Sequence, residues 1–190
     1  MINGWFTFLH EFVRHPRQVA SVIPSSRFLE RRIVEAAGVG AARTVVELGP
    51  GTGGTTRAIL RAIGQEARLL TIELNPHLHT LVSRINDPRL IPHLGDARQL
   101  KEIISGHALQ APDAVISGIP FSTIAPQVGH QILEEIHSVL APGGRFVAYQ
   151  VNRRVATLSR FFPEPDEAQF ELLNIPPLRI FRWEKNGVLV

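Results

Sequence analysis

The chain has 190 residues, enough for one domain with a sizeable core and no staples. Hydrophobic residues make up 44% and charged residues 19%, which excludes a disordered or fibrous chain. There are no cysteines, so disulfides, thiolate metal sites and cysteine nucleophiles are excluded; the net charge of +3 rests on arginine, since Lys101 and Lys185 are the only lysines.

The same arginine excess lifts the pI to about 10.1, a weak pointer to anionic partners. No apolar run reaches the roughly 20 residues that span a bilayer. The start of the chain has no basic n-region, and Glu11 interrupts its apolar stretch, so no signal peptide is expected. A reducing, cytoplasmic setting fits the missing cysteines.

Residues 1–38 read as a helical extension and 39–190 as the main domain. Trp5, Phe8, Leu9, Phe12 and Val13 share one helix face, with Pro16 ending or bending that helix. Pro24-Ser25-Ser26 offers a break and a cap for a second helix, Arg27 to Ala37, closed by Gly38. From Arg43 strands and helices alternate. Thr44–Leu48 is a β-branched run ending in glycines. The spacing then predicts a helix from Thr55 to Ile63, a strand over Arg68–Glu73, and a helix from Asn75-Pro76 to about Ile85. Strands at Leu90–Leu94 and Ala114–Ser117 follow, then a helix from Gln127 to Leu140 and a strand from Arg145 to Val151. Alternation of this kind implies a parallel sheet with right-handed crossovers. The segments 170–173 and 179–183 flank Pro176-Pro177 with no room for a helix, which predicts an antiparallel pair. The fold expected is α/β: a Rossmann-like, seven-stranded, mostly parallel sheet with a C-terminal antiparallel strand pair and an N-terminal helical extension.

The turn after the first strand carries Gly49, Gly51 and Gly53, and Glu73 ends the second strand 20 residues past Gly53. Glycines let a backbone approach a ligand closely, and a carboxylate at that place can take both ribose hydroxyls of a nucleoside. Glycines alone fit a tight structural turn equally well.

The run Glu47-Leu48-Gly49-Pro50-Gly51-Thr52-Gly53, with an acid two residues ahead of the first glycine, resembles motif I of the class I S-adenosylmethionine (SAM) dependent methyltransferases. Gly95-Asp96-Ala97 resembles their adenine-contacting position, and the resemblance runs over residues 43–190. It implies SAM as cofactor and S-adenosylhomocysteine as product. It implies Glu47 near the methionine part, the glycines beneath it, Glu73 on the ribose and Asp96 on the adenine amino group. An Asx turn after Gly95 is the alternative for Asp96. Ser117, ending the fourth strand, joins the expected cofactor set.

Ser117-Gly118-Ile119-Pro120-Phe121 occupies the place where amino-methylating members carry an Asn/Asp-x-Pro-aromatic motif. There a polar side chain and a backbone carbonyl face the target amine, with the ring against it. By that resemblance the Ile119 carbonyl and the Phe121 ring are catalytic candidates, while Gly118 stands where Asn or Asp belongs. A core phenylalanine is the alternative for Phe121.

With the segment from Phe8 to Arg27, this pattern resembles the bacterial phospholipid N-methyltransferases, which methylate phosphatidylethanolamine on the cytoplasmic leaflet. That family is similar to the rRNA adenine dimethyltransferases, whose extra C-terminal helical domain is not expected here. The resemblance implies a phospholipid substrate and a location peripheral to the inner face of the membrane. Trp5, Phe8 and Phe12, beside Arg14 and Arg17, have the composition of an interfacial helix. The same face could instead pack as a lid. Tyr149 is a candidate for contacting the headgroup, and Arg153 and Arg154 for holding its phosphate, or all three are packing and surface residues.

A monomer is expected, and nucleic acid is not the expected partner. The histidines form no ligand set, since His77 and His79 point to different faces of a helix, so no metal is expected. A nucleic-acid adenine methyltransferase, a small-molecule methyltransferase with a lid, and a SAM-binding regulator without catalysis stay open beside the leading reading.

Overall fold

The computed structural model describes residues 27–151, 153–158, 161, 162, 164, 165, 167–171 and 178–186, with the backbone alone for Arg154 and residues 167–171. The expected interfacial helix with Trp5, Phe8 and Phe12 lies outside the described residues, as do Arg14, Arg17, Leu172 and Leu173.

Helix α1 spans Arg27–Ala37 and ends at Gly38, whose φ of 62° is left-handed. Strand β1 (Thr44–Leu48) leads through the glycine turn into α2 (Gly54–Ala62). There follow β2 (Arg68–Glu73), α3 (Pro76–Ser83), β3 (Leu90–Leu94) and α4 (Leu100–Gly106). The rest is β4 (Ala114–Ser117), α5 (Pro126–Val139), β5 (Arg145–Gln150), α6 (Arg154–Leu158), β6 (Glu167–Glu171) and β7 (Leu178–Glu184). The strands form one sheet in the order β3-β2-β1-β4-β5-β7-β6. The first five are parallel, and β7 lies antiparallel to both β5 and β6. Chain order reverses between β1 and β4, so the crevice for a ligand opens above their carboxyl ends.

Both faces of the sheet are covered, which is why the central strands are apolar without alternation. Val45, Ile116 and Val147 meet Leu29 and Ile33 of α1 and Ile59 of α2 on one face. Val46, Leu48, Val115 and Phe146 meet Ile103 of α4 and Leu133 and Ile136 of α5 on the other. Leu29 and Ile33 are fully buried. At about 1.5–3 kcal/mol for each side chain of that size, they hold α1 as part of the packed domain. Residues 27–37, the described part of the expected N-terminal extension, pack against the sheet.

Two short helices, α4 and α6, were not legible as helices in the sequence. Strand β6 starts earlier than expected, at Glu167, pairing Glu167 with Arg182 and Phe170 with Arg179. The strand 145–151 stops one residue sooner, at Gln150.

Candidate cofactor and active site

Strand alternation places Glu47, Glu73 and Tyr149 on the α1–α2 face, and Ser117 and Gln150 on the α5 face. Gly49 and Gly51 hold φ values of 69° and 58°, which favour glycine over any residue with a Cβ. Gly49 N donates to Ile72 O (2.9 Å) and Gly118 N to Leu48 O (2.9 Å), so the loops after β1 and β4 are tied to neighbouring strand ends. A Cβ built on Gly51 would meet nothing within 4 Å, so this turn faces open space above the sheet.

Glu47 is fully buried. Its Oε2 accepts from Thr56 Oγ1 at 2.6 Å, while Oε1 is buried with no partner. Burial pushes its carboxyl up to about 8; the Thr56 hydroxyl opposes the rise and the Glu73 charge adds to it. A buried carboxylate oxygen without a donor is costly unless a donor arrives from outside the chain. Glu73 is also buried. Its Oε1 accepts from Asn75 N (3.0 Å) and its Oε2 from Gly51 N (3.3 Å). Burial raises its pKa, against the backbone donors of Asn75, Gly51 and Leu74. Asn75 also caps α3, accepting from His77 N and Leu78 N.

Asp96 caps the turn before α4 through Arg98 N (2.9 Å) and pairs with the Arg98 guanidinium at 2.6 Å. Burial raises its pKa, but Arg98 outweighs that and holds it below the usual carboxylate range. The Asx turn at Asp96 is thus present, and the carboxylate keeps lone pairs for a further donor.

The loop after β4 is tied more tightly to the core than the motif resemblance implies at three residues, Phe121, Ile119 and Ser117. The Phe121 ring is fully buried in the core beneath α5, so it offers no open aromatic face. The Ile119 carbonyl accepts from Gln150 Nε2 at 2.7 Å, which leaves it one lone pair for a further donor. Ser117 is fully buried, and its Oγ accepts from Ile119 N (3.3 Å), which bends the loop instead of facing the crevice. Arg153 is exposed and pairs with Glu164 at 3.7 Å, a surface pair of little worth. The Arg154 side chain lies outside the described residues.

Tyr149 is half-buried, with its hydroxyl directly against Gly118. Burial pushes its phenol far up, Glu47 adds to this, and a hydrogen-bonding interaction with Thr55 opposes it. The hydroxyl therefore stays protonated near neutrality and can donate or accept without serving as a base.

Three partners went unread in the sequence. Gln150 clamps the 119–121 loop, accepting from Phe121 N (3.1 Å) as well as donating to Ile119. Thr56 supplies the donor on Glu47; a buried acid before a glycine turn is itself a signal to look for one. Glu30 of α1 sits 3.0 Å from where a Gly54 Cβ would stand and pairs with Arg61 at 3.3 Å. Among the described residues no group of three or more His, Cys, Asp or Glu could hold a metal ion. No helix among them is long and apolar enough to cross a membrane.

A methyltransferase domain family matches residues 45–144. The ornithine lipid N-methyltransferase of Singulisphaera acidiphila is 32% identical over 181 residues, 93% of this chain and 93% of that one. Ribosomal RNA small subunit methyltransferase A of Nocardia farcinica is 29% identical over 80% of this chain, which spans 50% of that relative. Among solved structures, N-methyltransferase NodS from Bradyrhizobium japonicum WM9 with S-adenosyl-L-homocysteine superposes at a TM-score of 0.73. It is 13% identical, over 95% of this chain and 97% of that one. The chain belongs to the SAM-dependent methyltransferases, and SAM is its cofactor. Within that class it is similar, over nearly all its length, to an enzyme named for lipid N-methylation.

The residues present fit SAM. The unpaired Glu47 oxygen offers an acceptor to a cationic amino group, the open turn at Gly51 admits a backbone-hugging ligand, and Glu73 ends the neighbouring strand.

Proposed function

We propose that the protein N-methylates the headgroup amine of a membrane lipid, phosphatidylethanolamine in the first instance, from a peripheral position on the inner face of the membrane. What carries this reading is the likeness to the ornithine lipid N-methyltransferase over 93% of both chains. That likeness favours ornithine lipid as a second acceptor, since both lipids present an aliphatic amine.

Bound SAM supplies an activated methyl group on a sulfonium whose leaving group is neutral. The chain's own work is then to position. In this reading Glu47 and the glycine turn hold the amino-acid part, Glu73 takes the ribose hydroxyls and Asp96 the adenine amino group. Gln150 holds the loop after β4 against the core, which leaves the Tyr149 hydroxyl as the polar group beside Gly118. A protonated amine must lose a proton before attack. Tyr149, with its raised pKa, orients the amine while water takes the proton. Trp5, Phe8 and Phe12, with nearby arginines, give the membrane contact, and Arg153 and Arg154 reach the lipid phosphate.

The test is methyl transfer from labelled SAM, offered separately to phosphatidylethanolamine vesicles, ornithine lipid vesicles, ribosomal RNA and a panel of small amines. Label in lipid is expected. Label in RNA with none in lipid would end this reading.

A further inference from the structure

The clearest departure from an amine-holding loop is at Gly118. A Cβ built there would overlap the Tyr149 hydroxyl oxygen, and would lie 2.9 Å from Tyr149 Cζ and 2.8 Å from the Gly49 carbonyl oxygen. Position 118 is therefore closed to any side chain, on one flank by the backbone of the cofactor turn and on the other by Tyr149. The side-chain polar atom in that space is the phenol oxygen, delivered from β5 instead of β4, hydrogen-bonded with Thr55 and facing the Gly49 carbonyl across the gap.

The rest of the loop has been withdrawn in the same sense. Gln150 engages the Ile119 carbonyl at 2.7 Å and the Phe121 amide at 3.1 Å, and the Phe121 ring lies in the core. Gln150 and Tyr149 are adjacent on β5 and face opposite sides of the sheet, so one strand end both ties the loop down and fills the gap it leaves.

The two kinds of amine make different demands. An aryl amine is planar, with two N–H bonds in the ring plane and a delocalised lone pair, and it needs two coplanar acceptors and a flat slot. An aliphatic amine is tetrahedral, needs no flat slot, and can be oriented by one acceptor.

We propose that Tyr149, standing in the space that Gly118 leaves, is the group that holds the acceptor nitrogen, and that this pairing selects an aliphatic amine over an aryl amine. The proposal rests on the N-methylation reading above and narrows its acceptor class. The phenol accepts one N–H of the amine and turns the nitrogen lone pair toward the methyl group; its own proton stays in place.

Tyr149→Phe removes only the hydroxyl. We expect it to keep its melting temperature and to bind SAM within about twofold of the parent by calorimetry. We expect kcat/KM for phosphatidylethanolamine in phosphatidylglycerol vesicles to fall about tenfold or more, the scale of one hydrogen bond made in the transition state. A kcat/KM within about twofold of the parent, or a loss no larger than the loss in SAM affinity, overturns the proposal. The parent protein is also offered a soluble primary alkylamine and an adenosine-bearing RNA hairpin. Transfer to the alkylamine but not to lipid would end the lipid reading and leave the aliphatic selection standing. Transfer to the hairpin at a rate equal to or above that for both aliphatic amines overturns the selection itself.

Discussion

Replacing Glu47 by glutamine should change how the stability of the SAM-free protein depends on pH. Glu47 titrates near 8 in the folded chain against 4.5 as its ordinary value. A group with a raised folded pKa contributes stability that is full below pH 4.5 and is lost as pH rises to about 8. At about 1.4 kcal/mol per pH unit, the whole window is worth about 5 kcal/mol, an upper limit because a buried site relaxes and admits water. Between pH 6 and 8 the loss is about 2 kcal/mol, since the slope halves as pH reaches the folded value, or roughly 5–10 °C in melting temperature for a domain of this size. Glutamine keeps an acceptor for Thr56 and cannot titrate. It places a donor where Oε1 is unpaired, so the variant starts lower at pH 6 but falls less toward pH 8. Glu73 shifts in the same direction and contributes equally to both proteins. Melting curves without SAM across pH 6–8 give the comparison, and parallel curves would refute the buried, unpaired state of Glu47. The same group should make SAM binding release close to one proton near pH 6.5, read by calorimetry in buffers of different ionisation enthalpy.

Other positions give independent checks. Glu73→Ala should weaken SAM binding at least about tenfold by losing a bidentate acceptor, and unchanged affinity by calorimetry would remove its ribose role. Gln150→Leu leaves the Phe121 amide and the Ile119 carbonyl without their partner, at a cost of about 2–4 kcal/mol. An unmoved urea midpoint for that variant would mean the loop is not clamped. Phe8→Glu or Trp5→Glu should reduce pelleting with anionic vesicles, and unchanged pelleting would place the membrane contact elsewhere on the chain.

The cofactor half of the site was legible because its signals are local. A β-branched run, a glycine turn and an acid at the next strand end need no knowledge of distant contacts. Helix α1 was legible for a similar reason, since Leu29, Ile33 and Ala36 fall on one face and Gly38 stops it. Helices α4 and α6 are too short for their periodicity to show; Leu100, Ile103 and Ile104 make barely one apolar turn. The acceptor half depends on contacts between residues far apart in the chain. Gln150 meets Ile119 across 31 positions, and nothing near either residue announces it. The missing Asn or Asp at Gly118 was visible, but the reason for it was not, because Tyr149 reaches that point only when β5 lies beside β4. For Phe121 the sequence leaves both a ring facing the amine and a core ring open, and the structure has the core ring, with Gln150 holding the Phe121 amide.

The strand order β5-β7-β6 has a consequence for how the protein is made. β6 leaves the ribosome before β7, yet among the described residues its ladder is to β7 alone. During synthesis the growing sheet therefore carries β5 as a bare hydrogen-bonding edge and β6 as a strand with nothing to pair with. Both are satisfied at once when β7 slides between them, pairing Phe146 with Trp183 on one side and Phe170 with Arg179 on the other. Until then the nascent chain presents the kind of unpaired edge that recruits other chains. A premature stop before Leu178 would make that exposure permanent: it would remove one strand from the sequence and two from the sheet.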